Sequence, residues 1–128
     1  MGASGAGQPT EVELQILRVL WDLGPSPVRE IHQRLEAEKG TNYSTTVKML
    51  SVMLRKDLVS RTEEQRPHIY KACVSRRHTG KRMVRSLIDK VFEGSSASLA
   101  MQALSSRKPS ADEISEVRRL LDEMEDRS

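Results

Sequence analysis

Aromatic side chains make up only 3% of the 128 residues, so any core must be assembled from Leu, Val, Ile and Met. Cys73 is the single cysteine, which excludes an internal disulfide framework and a cysteine-rich metal cluster; it is expected to be a small residue packed in or near a strand. No apolar run approaches the roughly 20 residues that a bilayer span requires. No signal-peptide pattern opens the chain either, so no membrane association and a cytoplasmic location are expected. The sequence contains no HExxH, no glycine-rich phosphate loop and no G-x-S-x-G. His32, His68 and His78 fall on three different expected elements, without the spacing a shared metal needs. The expectation is a binding protein with no cofactor and no metal, not an enzyme.

What the chain does have is charge, unevenly placed. The net value of +3 conceals twelve basic against four acidic side chains in residues 41–90, and three against seven in residues 109–128. The middle is thus +8 and the tail −4, a separation that marks a surface meeting an anion, because a concentrated potential raises local polyanion concentration.

A length of 128 residues suits one compact domain with an appendage. Residues 1–9, MGASGAGQP, are Gly/Ala/Ser-rich and expected to be disordered. Thr10 and Glu13 have capping-box spacing, so a helix should begin there. Val12, Ile16, Val19, Leu20 and Leu23 share one face of it, and Leu14, Leu17 and Trp21 make it apolar nearly all round, as in a central buried helix. Gly24-Pro25 ends it. Ser26 as cap and Pro27 as first helical residue open a second helix carrying Val28, Ile31 and Leu35 and ending before Gly40. A third helix follows the short connection Gly40 to Asn42. Then LVSRT and HIYKAC form β-prone segments joined by EEQRP, a hairpin with Gln65, Arg66 and Pro67 at its tip. Three helices followed by a basic hairpin is the order of a winged helix-turn-helix domain, placed at residues 10–74.

Residues 75–128 are expected to be helical again. Met83, Val84, Leu87, Ile88, Val91 and Phe92 form one apolar stripe, broken after Glu93 by Gly94. A short helix through Leu99, Ala103 and Leu104 follows, and a second capping box, Ser110 to Glu113, opens a last helix with Ile114, Val117, Leu121 and Met124 at helical spacing. Three amphipathic helices outside a small domain must bury their stripes, and the economical partner is a second copy of the chain in a two-fold dimer. The dimerisation residues expected are Met83, Leu87, Ile88, Val91, Leu99, Leu104, Ile114, Val117, Leu121 and Met124. The fold class is therefore mainly α with a small β-hairpin wing, an N-terminal winged helix-turn-helix domain preceding a C-terminal helical dimerisation domain.

The third helix, within NYSTTVKMLSVMLR at residues 42–55, carries the candidate site. At 100° per residue Tyr43, Val47, Leu50, Met53 and Leu54 form one stripe, and Ser44, Thr45, Lys48, Ser51 and Arg55 lie opposite. That opposite face has two cations, three hydroxyls and no carboxylate, whereas a merely solvated face normally alternates Glu with Lys. The helix N-terminus favours a phosphate oxygen, and a major groove about 12 Å wide admits a helix. Val52 lies on the same front, where an apolar residue can touch a thymine methyl. Thr46 is expected to divide its role between packing and a phosphate contact, and Tyr43 to pack with its hydroxyl at the rim. Arg61, Arg66 and Lys71 of the wing would reach the flanking backbone. Double-stranded DNA is the partner these features imply.

The segments TEVELQILRVLW, SPVREIHQRL, NYSTTVKML, RKDLVSR and HIYKACVS resemble the penicillinase repressor, or methicillin-resistance repressor, family of bacterial winged-helix regulators over about residues 10–125. The signature carried by Thr45, Thr46 and Val47, together with the opening from Glu13 to Trp21, is moderately specific. The resemblance implies a homodimeric repressor on a palindromic operator, often controlling β-lactam-resistance genes, with release by a membrane-bound regulatory protease that cuts the C-terminal part. Two departures stand out. Lys56-Asp57 replaces the Lys-Gly common after the recognition helix, where a positive φ is expected. The Asn-Phe cleavage dipeptide is absent, the comparable region reading LAMQALSS, which argues against proteolytic release; the tail also lacks the clustered cysteines of the copper-responsive branch. Two other readings use the same residues: a winged-helix protein-interaction module whose basic face meets an acidic protein, and a ligand-sensing regulator with a pocket among the C-terminal helices. The first would give no salt-sensitive DNA complex, and the second would be stabilised by its ligand.

Overall fold

The computed structural model describes residues 8–128, so most of the tail expected at residues 1–9 lies outside the described residues. Among the described residues, six helices and three short strands follow one another: α1 (Glu11–Leu23), β1 (Ser26–Pro27), α2 (Val28–Lys39), α3 (Tyr43–Arg55), β2 (Val59–Arg61), β3 (Ile69–Ala72), α4 (Arg76–Lys90), α5 (Ser96–Ser106) and α6 (Ala111–Arg127). They divide into two compact units, the first ending at Met83 and the second running Val84–Ser128, so that α4 begins in one and ends in the other. The fold is mainly helical with a small antiparallel sheet.

The first unit is built around α1. Its capping box is present as expected: the Thr10 hydroxyl accepts the Glu13 amide at 3.2 Å and the Glu13 carboxylate accepts the Thr10 amide at 2.9 Å. Ile16, Leu17, Val19 and Leu20 are buried, and they meet Ile31 and Leu35 of α2, Leu50 and Met53 of α3, and Leu58, Val59 and Tyr70 of the sheet region. Val12 and Leu23, expected on the core face, stay 41% and 42% exposed because they sit at the two ends of the helix, beyond its neighbours' reach. Gly24 terminates α1 with φ +84°, a conformation that a Cβ strongly disfavours. Truncating fully buried Leu50 to Ala would cost about 2–5 kcal/mol by the cavity it leaves.

The sheet has the order β1-β3-β2, with Val59 opposite Ala72, Ser60 opposite Lys71 and Arg61 opposite Tyr70 in the hairpin. The third strand is a departure from the sequence reading. Ser26 and Pro27 pair with Tyr70 and Ile69 as an edge strand, and Pro27 is the residue before α2 rather than its first turn. The Ser26 hydroxyl donates to the Gly24 carbonyl at 2.8 Å and caps nothing. An edge position tolerates proline because the missing N–H faces away from the ladder. Cys73, expected to be packed, is exposed just beyond β3. Trp21 donates its indole N–H to the Val74 carbonyl at 2.9 Å and carries the Arg76 guanidinium over its ring at 5.5 Å, which ties α1 to the start of α4.

In the second unit the second capping box closes as expected, with Ser110 and Glu113 exchanging bonds of 3.1 and 2.8 Å. Ser95 caps α5 by accepting the Ser98 amide at 3.0 Å. Neither α5 nor α6 buries a residue: Leu104, Ile114, Leu121 and Met124 are 42%, 39%, 54% and 55% exposed. No helix among the described residues is long and apolar enough to cross a membrane.

Candidate nucleic-acid interface

Why α3 stands where it does follows from its two ends. Asn42 caps it: the carboxamide oxygen accepts the Thr45 amide at 2.9 Å and the Ser44 hydroxyl at 3.0 Å. Below this cap, Thr46 is 1% exposed, its hydroxyl 3.1 Å from Nδ1 of His32 on α2. The His32 ring also meets the Tyr43 ring edge-on, centroids 5.3 Å apart. At the other end Lys56, the residue after the helix, places its ammonium 2.7 Å from the carboxylate of Glu13, which is 1% exposed. Burial pushes the Glu13 carboxyl up, but the Lys56 hydrogen bond, the Thr10 amide and the Lys56 charge together outweigh it and hold it below the ordinary value. Asp57 then turns the chain with φ +60°, the positive value expected where glycine is usual.

The buried side of α3 is formed by Thr46, Leu50 and Met53, with Met49 and Leu54 packed against the core. This is a rotation from the expected stripe. Tyr43 is 49% and Val47 40% exposed, so both belong to the surface, and Thr46 takes the place assigned to them. Thr46 is therefore withdrawn from the contact surface: its hydroxyl is spent on His32 and on the Asn42 carbonyl, and no phosphate can reach it.

The remaining expected residues separate clearly. Ser44, Thr45, Lys48 and Arg55 are exposed and Ser51 and Val52 half-exposed. Neither Lys48 nor Arg55 has an ion-pair partner among the described residues, and no carboxylate shares their face. In the wing, Arg66 and Lys71 are exposed. Arg61 is not free. Its guanidinium donates to the Tyr70 hydroxyl at 3.2 Å and to Glu63 at 3.0 Å; those bonds, Tyr70's first, raise its pKa, and the bond from Arg61 lowers that of Glu63. These bonds brace Arg61 across the hairpin. Met83 is half-buried and lines an apolar hollow with Leu58, Val74 and Thr79 inside the first unit.

Three contacts that the sequence reading left out hold this surface in place: the Asn42 cap, the His32–Thr46 bond and the Glu13–Lys56 pair. Asn42 was legible, since an Asn immediately before a periodic apolar run is a standard cap. His32 and the Glu13–Lys56 pair, 14 and 43 residues from their partners in sequence, carry no local signal.

Three helices, an antiparallel wing and a third helix presenting a cationic, carboxylate-free side define the winged helix-turn-helix class of DNA-binding transcription regulators. Within that class the chain belongs to the penicillinase repressor family, whose model matches residues 9–123. Among solved structures the fold is similar to that of a MarR family protein from Bacillus stearothermophilus. The two share 20% identity, with a TM-score of 0.49 over 98% of this chain and 79% of that one. No curated protein matches the sequence.

Proposed function

We propose that the protein is a cytoplasmic repressor that grips a palindromic operator as a homodimer, laying α3 of each subunit in a major groove and the wing along the flanking backbone. The observation that carries this reading is the division of α3: one side is fixed in the core through Leu50 and Met53, and the other offers Lys48 and Arg55 unpaired. Half-sites about one helical turn apart, roughly 34–36 Å, would receive the two helices. Residues 75–128 serve to join the subunits, supported by the apolar side chains that α5 and α6 leave uncovered. No catalytic step belongs to this role. The segment LAMQALSS forms most of α5, without the dipeptide that would suit a regulatory protease, so release by another signal is favoured. Genes of the β-lactam-resistance type are the targets that family membership suggests.

Footprinting around the protein's own gene, followed by titration of the protected fragment, tests the proposal. If each subunit neutralises about four phosphates, log affinity against log salt should fall with a slope near −7. Lys48→Ala or Arg55→Ala should cost roughly 1–3 kcal/mol on the operator if the side chain reads a base, and equal amounts on operator and random duplex if it touches only phosphate. Unchanged affinity on both would remove that residue from the interface, and no salt-sensitive complex would overturn the reading in favour of a protein-docking module.

A further inference from the structure

The rotation of α3 leaves an apolar surface where none was needed for packing. Tyr43 and Val47 are one turn apart, 49% and 40% exposed, and Val47 lies beside Ser44 and Ser51 on the helix surface. An apolar pair on the water-facing side of a short helix gains nothing from solvent; its burial needs an apolar occupant. One side of the Tyr43 ring rests edge-on against His32, whose Nδ1 lies 3.1 Å from the hydroxyl of buried Thr46. At i and i+4, Tyr43 and Val47 are neighbours on the helix surface.

The neighbouring charges decide which occupant fits. Lys48 and Arg55 stand on the same exposed side with no carboxylate, so the surface complements a polyanion, which an acidic or apolar protein helix would match only in part. In duplex DNA the apolar group presented in the major groove, within reach of side chains flanked by phosphate-seeking cations, is the thymine 5-methyl.

We infer that Tyr43 and Val47 form a methyl-reading patch, seating a thymine 5-methyl group of each half-site against the isopropyl group of Val47 with the Tyr43 ring as its side wall. This inference rests on the proposed DNA-binding role and adds a base preference at one position. Val52, at the other margin of the same front, is a separate apolar position and is not needed for it.

The test uses the full-length protein and the footprinted operator, with each thymine replaced in turn by deoxyuridine, which deletes only the methyl group. Wild-type protein should lose about fourfold in affinity at one symmetry-related pair of thymines, the amount expected for one buried methyl, and remain indifferent elsewhere. Val47→Ala should bind the natural operator more weakly and show no further loss at that same pair. Because Val47 is exposed, a thermal melt should show this variant folded, and the deoxyuridine scan of the wild type stands without any variant. Equal affinity at every replaced thymine, with specific binding intact, overturns the inference while leaving the DNA-binding role in place. So does a methyl dependence that survives Val47→Ala and vanishes in Val52→Ala. Absence of any specific complex removes both together.

Discussion

Glu13 is a buried carboxylate on a helix that belongs to the core, held by the Thr10 amide and by one ammonium from another helix end. The two members of the pair are not equivalent, because Lys56 keeps 32% of its side chain in solvent and Glu13 keeps 1%. Replacing Lys56 by Met leaves the buried carboxylate only its bond from the Thr10 amide, and should cost about 1–3 kcal/mol in urea unfolding. Glu13→Gln keeps an oxygen for the Thr10 amide and lets Lys56 turn outward, so its cost should be clearly smaller. The sign of the pH effect follows from the depressed carboxyl pKa. Below the ordinary glutamate value of 4.5 the unfolded chain binds the proton first, so the stabilisation is complete above that value and fades as pH falls through the lower folded one. Acid titration of stability should show this fall in the wild type and lose its Glu13 share in Glu13→Gln.

At the scale of elements, α3 and its exit turn set how the reading surface is displayed. Asp57 holds φ +60°, a region that costs an ordinary L-residue roughly 1–2 kcal/mol and Asp somewhat less. Asp57→Gly should therefore raise the melting temperature, by an amount equivalent to up to about 1 kcal/mol, with operator affinity unchanged. Differential scanning calorimetry beside a gel shift checks both halves of that statement. The same elements show what the sequence could and could not disclose. Both capping boxes and the hairpin were legible because each is written in residues three or four apart or in a single turn, whereas the positive φ at Asp57 was expected from the family resemblance. The buried side of α3 was legible only in part: hydrophobicity placed Tyr43 and Val47 inside, but the core face is chosen by where α1 and α2 lie, and that choice admitted Thr46 by giving its hydroxyl a partner in His32. The strand at Ser26–Pro27 escaped because two residues carry no periodicity. Arg61 read as a free cation because its cross-strand neighbour Tyr70 is fixed by the hairpin register, which charge counting does not see.

For the whole molecule, the second unit is where the proposed dimer would form. Helix α6 exposes Ile114, Leu120, Leu121 and Met124 by 39–55%, more apolar surface than a short helix keeps in water without a partner. The double variant Leu121→Glu with Met124→Glu should shift the sedimentation coefficient from dimer to monomer and lower operator affinity at least tenfold, while the first unit keeps its fold. A dimer that persists would move the interface elsewhere. One further consequence belongs to the complete protein. With Thr46 fastened to α2 near its start and Lys56 fastened to α1 just past its end, α3 is a bar clamped at both tips. If α3 enters a groove as proposed, the order the groove demands of it has been set during folding, so meeting a duplex would forfeit little chain freedom, and choice among duplexes would rest on the fit of edges rather than on coupled folding.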